Sequence, residues 1–113
     1  MGDDHATLAA DLSHWPSKAE TASLLRAAGL TVTVGRHSVR IRDCAHFAFQ
    51  EYGGPNGPTI EAEAPSVEAL VHDARLVSGA LARASLRHRF EVYDMEGVLQ
   101  SYVHHDWPLC DDG

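Results

Sequence analysis

The sequence contains little cysteine and no long apolar run. Cys44 and Cys110 are the only cysteines among 113 residues, too few for a disulfide framework. No apolar stretch approaches the roughly 20 residues that a helix needs to cross a bilayer. The first residues are acidic, whereas a secretory signal begins with basic residues. These absences predict a cytoplasmic chain that keeps both thiols reduced and does not associate with membranes.

Basic residues are also scarce. The chain has nine lysines and arginines but sixteen aspartates and glutamates, so its formal net charge is −7. Surplus negative charge repels phosphate backbones and anionic lipids, which argues against non-specific nucleic-acid binding and favours a basic protein as partner. Apolar residues at 44% and charged residues at 22% are typical of globular chains. The length predicts one domain over 1–113, with frayed ends at 1–12 and 108–113.

Two segments have helical spacing. Ser17 followed by Glu20 forms a capping box, which predicts a helix from about residue 17 to 28. Apolar residues recur at every third or fourth position from Val67 to Ala84, behind a cap at Ser66. This second pattern predicts a longer helix with one apolar stripe.

The other segments alternate apolar and polar residues with a period of two, as half-buried strands do. Predicted strands cover roughly residues 30–34, 39–42, 44–52, 59–64, 88–94 and 98–106. The order α-β-β-β-β-α-β-β contains no repeating βα unit. We therefore predict an α+β fold, a two-layer sandwich in which an antiparallel sheet of about six strands has two helices on one face.

The alternation divides the predicted sheet into two faces. The face beneath the helices would carry Val32, Val34, Ile41, Phe47, Phe49, Ile60, Phe90 and Val92. The uncovered face would carry arginine and tyrosine, which are enriched at binding hot spots, beside acids and histidines. These candidate binding residues are Arg40, Arg42, His46, Gln50, Tyr52, Glu61, Glu63, Arg89, Glu91, Tyr93, Tyr102 and His104. A merely solvated sheet surface is the alternative interpretation.

The C-terminal stretch SYVHHDWPLC raises the question of a metal site. His104 and Asp106 lie two residues apart on a predicted strand and project from the same face. If His46 met them there, the imidazoles and the carboxylate would form an acceptable zinc or iron set, with Cys44 as a fourth ligand. No metal-binding spacing such as HExxH or CxxC is present. In the alternative interpretation, His105 and Trp107 pack while His104 and Asp106 only cap the end of the sheet through hydrogen bonds to the backbone.

Cys44 and His46 do not predict a nucleophile pair. Side chains two apart on a strand are roughly 6 to 7 Å apart, beyond hydrogen-bond reach. The remaining histidines within the first ninety residues carry no catalytic pattern and are predicted to be surface residues: His5, His14, His37, His72 and His88.

The stretch RHRFEVYDMEGVLQSYVHHDWP resembles the C-terminal hairpin of small bacterial proteins of the immunity type and of proteins carried on mobile gene cassettes. The resemblance implies an accessory protein that binds another protein. The element order is also similar to that of secretion chaperones, which bind partners as dimers. Homodimerisation through an edge strand or the uncovered face is compatible with this resemblance.

We therefore expect a noncatalytic, immunity-like binding domain that presents its uncovered sheet face to a basic protein. Two alternatives stay open. One is a small metal-dependent enzyme that uses His46, His104 and Asp106 with zinc. The other is a small-ligand binder in which Arg40 and Arg42 hold a carboxylate or phosphate.

Overall fold

The computed structural model describes residues 5–55 and 57–107, which form two helices and seven strands. In chain order the elements are β1 (Ala6–Leu12), α1 (Lys18–Ala27), β2 (Val32–Val34), β3 (Val39–Ile41), β4 (Phe47–Gln50), β5 (Thr59–Ala64), α2 (Val67–Arg83), β6 (His88–Tyr93) and β7 (Leu99–His105). The predicted frayed end at 108–113, with Cys110, lies outside the described residues. Neither helix in this part of the chain is long and apolar enough to cross a membrane.

Both helices begin at the predicted caps. Ser17 Oγ accepts a hydrogen bond from the backbone N–H of Glu20 at 3.1 Å, and Glu20 Oε1 accepts one from the N–H of Ser17 at 2.9 Å. At the start of α2, Ser66 Oγ accepts from the N–H of Ala69 at 3.1 Å. Each bond satisfies a backbone group at a helix terminus, so local sequence decides where both helices start.

The seven strands form one antiparallel sheet in the order β2-β3-β4-β5-β1-β6-β7. The predicted α+β class is confirmed, with seven strands instead of about six. The register pairs Phe49 with Ile60 and Phe90 with Val103. Because directly opposed residues point to the same face, such pairs join into apolar rows across the sheet. Both helices pack against this apolar face.

Residues 6–12 form the central strand β1, so the prediction of a frayed end is wrong for them. β1 pairs with β5 on one side and along most of its length with β6 on the other. Ala6 and Leu12 are buried, whereas Ala9 points to solvent. Alanine therefore occupies both faces of β1, which weakens the contrast from which a strand is predicted. Tertiary pairing holds the strand in place where local pattern is weak.

One apolar core lies between the sheet and the helices. Its largest fully buried apolar side chains are Phe47, Phe49, Phe90, Leu25, Ile41, Leu70, Leu81, Val39, Val77 and Val92. The rings of Phe47 and Phe90 meet edge to face with centroids 5.7 Å apart. They stand on strands separated by β5 and β1, whose inward alanines Ala10 and Ala62 leave room for the contact. Val34, predicted beneath the helices, is 42% exposed because β2 is an edge strand.

Candidate functional site

The side of the sheet away from the helices is uncovered within residues 5–55 and 57–107, and we call it the open face. Along β1, β5 and β6 it carries the side chains that alternate with the more buried ones. All of the candidate binding residues except Tyr52 lie on this face or beside it: Arg40, Arg42, His46, Gln50, Glu61, Glu63, Arg89, Glu91, Tyr93, Tyr102 and His104.

Tyr52 lies on the opposite side of the sheet, which corrects its predicted position. β4 ends at Gln50, and Glu51 has a positive φ of 64° that breaks the two-residue alternation. The Tyr52 hydroxyl lies 2.7 Å from Oγ1 of Thr21 on α1, and the ring packs against the core. Tyr52 therefore joins a helix to the sheet and does not belong to the open face.

Carboxylates run across the middle strands of the open face. Glu61 and Glu63 stand on β5, Asp11 on β1 and Glu91 on β6, and we call these residues the acidic ribbon. Ala9 on β1 is the direct cross-strand partner of Glu91. Like charges held together on a rigid surface create a negative potential that attracts cationic groups.

Polar side chains at the β5 end contact the acidic ribbon. His5 Nε2 lies 3.0 Å from Glu63 Oε1, and His46 Nε2 lies 3.5 Å from Glu61 Oε1. Gln50 Nε2 donates to Glu61 Oε1 at 3.1 Å. Solvent screens such exposed contacts, so they add little to stability and serve to orient the two glutamate carboxylates.

A second feature of the open face, at β6 and β7, is the arginine–aromatic cluster, which consists of Arg89, Tyr102, His104 and Trp107. Arg89 Nε donates to Asp11 Oδ2 at 2.7 Å, and its guanidinium lies 5.5 Å from the ring centroid of Trp107. The rings of Tyr102 and His104 are 4.9 Å apart. The hydrogen bond to Asp11 raises the pKa of Arg89 above its ordinary value. These contacts hold a long side chain in one position.

The sequence patterns missed two members of this surface, Asp11 and Trp107. Asp11 fell in the segment predicted to fray, and Trp107 was expected to pack. In the sheet, Asp11 is the direct cross-strand partner of Arg89, and Trp107 covers that arginine on the open side. Alternation in ATLAADL, with Leu8 and Leu12 in phase, is the signal that could have placed Asp11 on the open face.

The predicted convergence of His46, His104 and Asp106 is wrong. His46 precedes β4 and His104 stands on β7, so β5, β1 and β6 lie between them. Four strand spacings amount to roughly 19 Å. Asp106 has a positive φ of 53° and interacts with Arg87, whose Nε is 3.5 Å from its Oδ2. No group of three or more His, Cys, Asp or Glu residues in the described chain could hold a metal ion.

Cys44 is held in a form unsuited to nucleophilic attack. Burial, followed by the nearby carboxylates of Asp73 and Asp43, raises the pKa of the thiol to about 12. Asp73 is itself buried on α2, and its Oδ2 accepts a hydrogen bond from the N–H of Ala45 at 3.0 Å. The thiol is therefore protonated at neutral pH, when nucleophilic chemistry requires a thiolate. Asp73 serves to fasten the loop before β4 to the helix.

His88 is completely buried, so its prediction as a surface residue is wrong. Its Nδ1 lies 2.8 Å from the carbonyl oxygen of Leu86 and its Nε2 lies 2.6 Å from Ser78 Oγ on α2. A neutral ring that donates through Nδ1 and accepts the Ser78 hydroxyl proton at Nε2 satisfies both contacts. The alternation His88, Phe90, Val92 along β6 already points to this buried position.

The free energy of unfolding is expected to decrease as the pH falls, because His88 then takes up a proton. Burial lowers the pKa of this imidazole, with a smaller opposing effect from the Leu86 carbonyl and smaller lowering effects from His104 and His105. The stabilisation is thus complete above about pH 6.5, the ordinary histidine pKa, and is lost as the pH falls through the window below it. Urea unfolding of the wild type between pH 7 and pH 5 measures this loss.

His88→Phe is the variant that assigns this pH dependence. It keeps an aromatic ring and removes the titrating group, so its unfolding free energy should fall less steeply over the same pH range. The matched control is His14→Phe at an exposed position, which should retain the wild-type slope. Equal slopes for the wild type and His88→Phe would contradict the assignment.

A cleft of about 500 Å³ opens at one end of the sheet, between the turn that joins β2 to β3 and the loop after β4. It is lined by His37, Ser38, Gln50, Glu51, Tyr52, Gly53, Gly54 and Pro55. Its volume is within the range of small-molecule sites. Neither Arg40 nor Arg42 is among these lining residues, so the two arginines do not supply this cleft with an anion-binding group.

The fold and the open face define a small α+β protein with one side of an antiparallel sheet uncovered in its described part. Comparison with known proteins gives no significant match to a protein-family model, a curated protein or a solved structure.

Proposed function

We propose that this chain is a noncatalytic, immunity-like binding protein whose open face binds a basic protein partner. The observation that carries the proposal is the acidic ribbon of Asp11, Glu61, Glu63 and Glu91 on an uncovered sheet. A net charge of −7 adds a long-range attraction to a basic surface. Strands display these side chains on a rigid surface, so little conformational entropy is lost when a partner docks on it.

The arginine–aromatic cluster supplies the second element of the proposed interface. Tryptophan, tyrosine and arginine are the residue types most enriched among binding hot spots. Arg89 is already positioned by Asp11 and Trp107, and Tyr93 donates its hydroxyl proton to Glu91 Oε1 at 2.9 Å. Groups positioned before binding lose less freedom on binding. The cluster would provide contact area while the ribbon provides charge complementarity.

Neutralising the ribbon tests the proposal. Wild-type chain and the double variant Glu61→Gln, Glu91→Gln are immobilised and used to capture proteins from the cells that encode the chain. The wild type is expected to retain a basic protein, and the variant to bind it about tenfold more weakly or worse, because close interfacial charge pairs contribute strongly to affinity. Purified partner and a salt titration then give the dissociation constants, with weaker binding at higher ionic strength.

The matched control is the double variant Glu51→Gln, Glu96→Gln, which makes the same change of net charge at exposed sites away from the ribbon. It should bind nearly as well as the wild type. If both double variants weakened partner binding equally, the effect would come from the overall charge of the chain and not from the ribbon. A chain that retains no basic protein, but carries a metabolite on the open face, would contradict the proposal.

The small-ligand alternative stays a prediction with less support. Arg42 Nη1 donates to Thr33 Oγ1 at 3.2 Å, and Arg40 stands on the same face of β3. Within the described residues neither arginine forms an ion pair with a carboxylate. Both lie on exposed surface, where water screens a bound anion and holds its affinity low.

A further inference from the structure

The two edges of the sheet differ in a way that points to self-association. β2 is only three residues long, whereas β7 runs for seven residues, Leu99–His105. Its sequence LQSYVHH contains no proline, lysine, arginine or acid. Proteins commonly protect an edge strand by making it short or by placing such residues on it. β7 has neither protection within the described chain.

The outward backbone groups of β7 can be assigned from the ladder. Ser13 N–H donates to the carbonyl of Arg87 at 3.0 Å, so the odd-numbered residues of β6 bond to β1. The even-numbered residues of β6 therefore bond to their β7 partners, which include Val103. The residues between those partners, Tyr102 and His104, direct their N–H and C=O groups away from the sheet.

Apolar and charged side chains beside β7 suit a second copy of the chain. Leu99 is 49% exposed at the start of the strand. A groove of about 470 Å³ between α2 and β7 is lined by Val67, Glu68, Val71, His72, Arg75, Gln100 and Ser101. A two-fold axis at the edge would make the two α2 helices antiparallel, bringing Glu68 of each copy to the side of the other copy's Arg75.

We infer that two copies of this chain associate through antiparallel pairing of their β7 strands, forming one continuous fourteen-stranded sheet from two seven-stranded ones. A register centred on Tyr102 overlaps the whole of Leu99–His105 with its symmetry mate and sets Gln100 opposite His104. A chain with net charge −7 is repelled by its own copy over most of its surface. Because β7 carries no acidic residue, two copies can pair along it without bringing carboxylates face to face.

The dimer would place two open faces side by side on the same surface. Tyr102 stands on the open face and would lie at the two-fold axis, next to its symmetry mate. The two arginine–aromatic clusters would then become neighbours, and a partner with two basic patches could bind both copies. This geometry follows from the edge pairing and does not depend on the identity of the partner.

His104→Pro tests the pairing, because proline removes an outward N–H and leaves the β6–β7 ladder intact. His104→Ala is the matched control, since it loses the same side chain and keeps the donor. Sedimentation equilibrium over a wide concentration series is expected to show a wild-type dimer, the same for His104→Ala, and dissociation about tenfold or more easier for His104→Pro. Circular dichroism verifies that each variant is folded.

Cross-linking gives a second readout if His104→Pro does not fold. Tyr102→Cys in a Cys110→Ser background places two thiols across the axis, where opposed Cα atoms about 5.5 Å apart permit a disulfide. Oxidation should yield a covalent dimer for this variant and not for Arg40→Cys in the same background. A wild type that is monomeric at all concentrations, or a Tyr102→Cys variant that fails to cross-link, would overturn the inference.

Discussion

Replacement of Ala9 by proline is expected to destroy the cooperative fold or to destabilise it by about 3 kcal/mol or more. Ala9 lies in the middle of β1 and pairs with Glu91 of β6. The Ser13–Arg87 bond places the odd-numbered residues of β1 in hydrogen bonds with β6. Proline would remove one of these donors inside the central strand, where no solvent replaces it.

The effect is expected to be large because β1 alone joins the two halves of the sheet. Four strands lie on its β5 side and two on its β6 side. Loss of β1 would leave two unpaired internal edges and expose the inward faces of Leu8 and Leu12. Domains of this size have total stabilities of about 5 to 15 kcal/mol, so the loss is a large fraction of the whole.

Ala9→Val is the control for this prediction. Its side chain stays on the open face, keeps the backbone donor and is favoured in strands, so the unfolding midpoint in urea should change little. Unfolding of both variants, followed by circular dichroism, makes the comparison. Wild-type stability in Ala9→Pro would mean that residues 6–12 are frayed, as the sequence pattern alone predicted.

Phe90→Ala is expected to destabilise the protein by about 3 to 5 kcal/mol. The ring of Phe90 is fully buried on β6 and contacts Phe47 and His88, with centroids 5.7 and 5.0 Å away. Removal of the ring loses the free energy gained when the ring is transferred from water to the core. It also leaves a cavity beneath α2 that the surrounding strands cannot collapse to fill. Chemical unfolding of the purified variant measures the loss directly.

Tyr93→Ala on the same strand is the matched control. Tyr93 has the opposite orientation, on the open face, and its hydroxyl contacts only the half-buried Glu91 among the polar groups of the described chain. Its loss should cost less than about 1 kcal/mol. If the two variants destabilised the protein equally, the assignment of a buried and an open face to β6 would be wrong.

Alternation within single strands was sufficient to predict much of the open face. Glu61 with Glu63, and Arg89 with Glu91, are in phase in the sequence, and the sheet keeps each pair on one side. The exception, Tyr52, follows a residue with positive φ. Alternation describes a regular strand only, so it cannot anticipate the residue at which the strand ends in a turn.

The contacts between strands could not be predicted in the same way. His46 and His104 lie on the same face of the sheet but are not close to each other, because three strands separate them. Asp11 and Arg89 are far apart in the chain and form the shortest ion pair on the open face, at 2.7 Å. Strand order and register arise from the packing of the whole core, and no local pattern encodes them.

The sequence by itself therefore determined the two helices and their caps, most of the strands, the α+β class and the acidic character of the chain. Each of these depends on residues close together in the chain, through capping bonds, periodicity or summed charge. Only the tertiary structure decided that β1 is central, that His88 is buried, and that the acidic ribbon adjoins the arginine–aromatic cluster. Those features depend on which strands become neighbours, and this is settled by burying one common core.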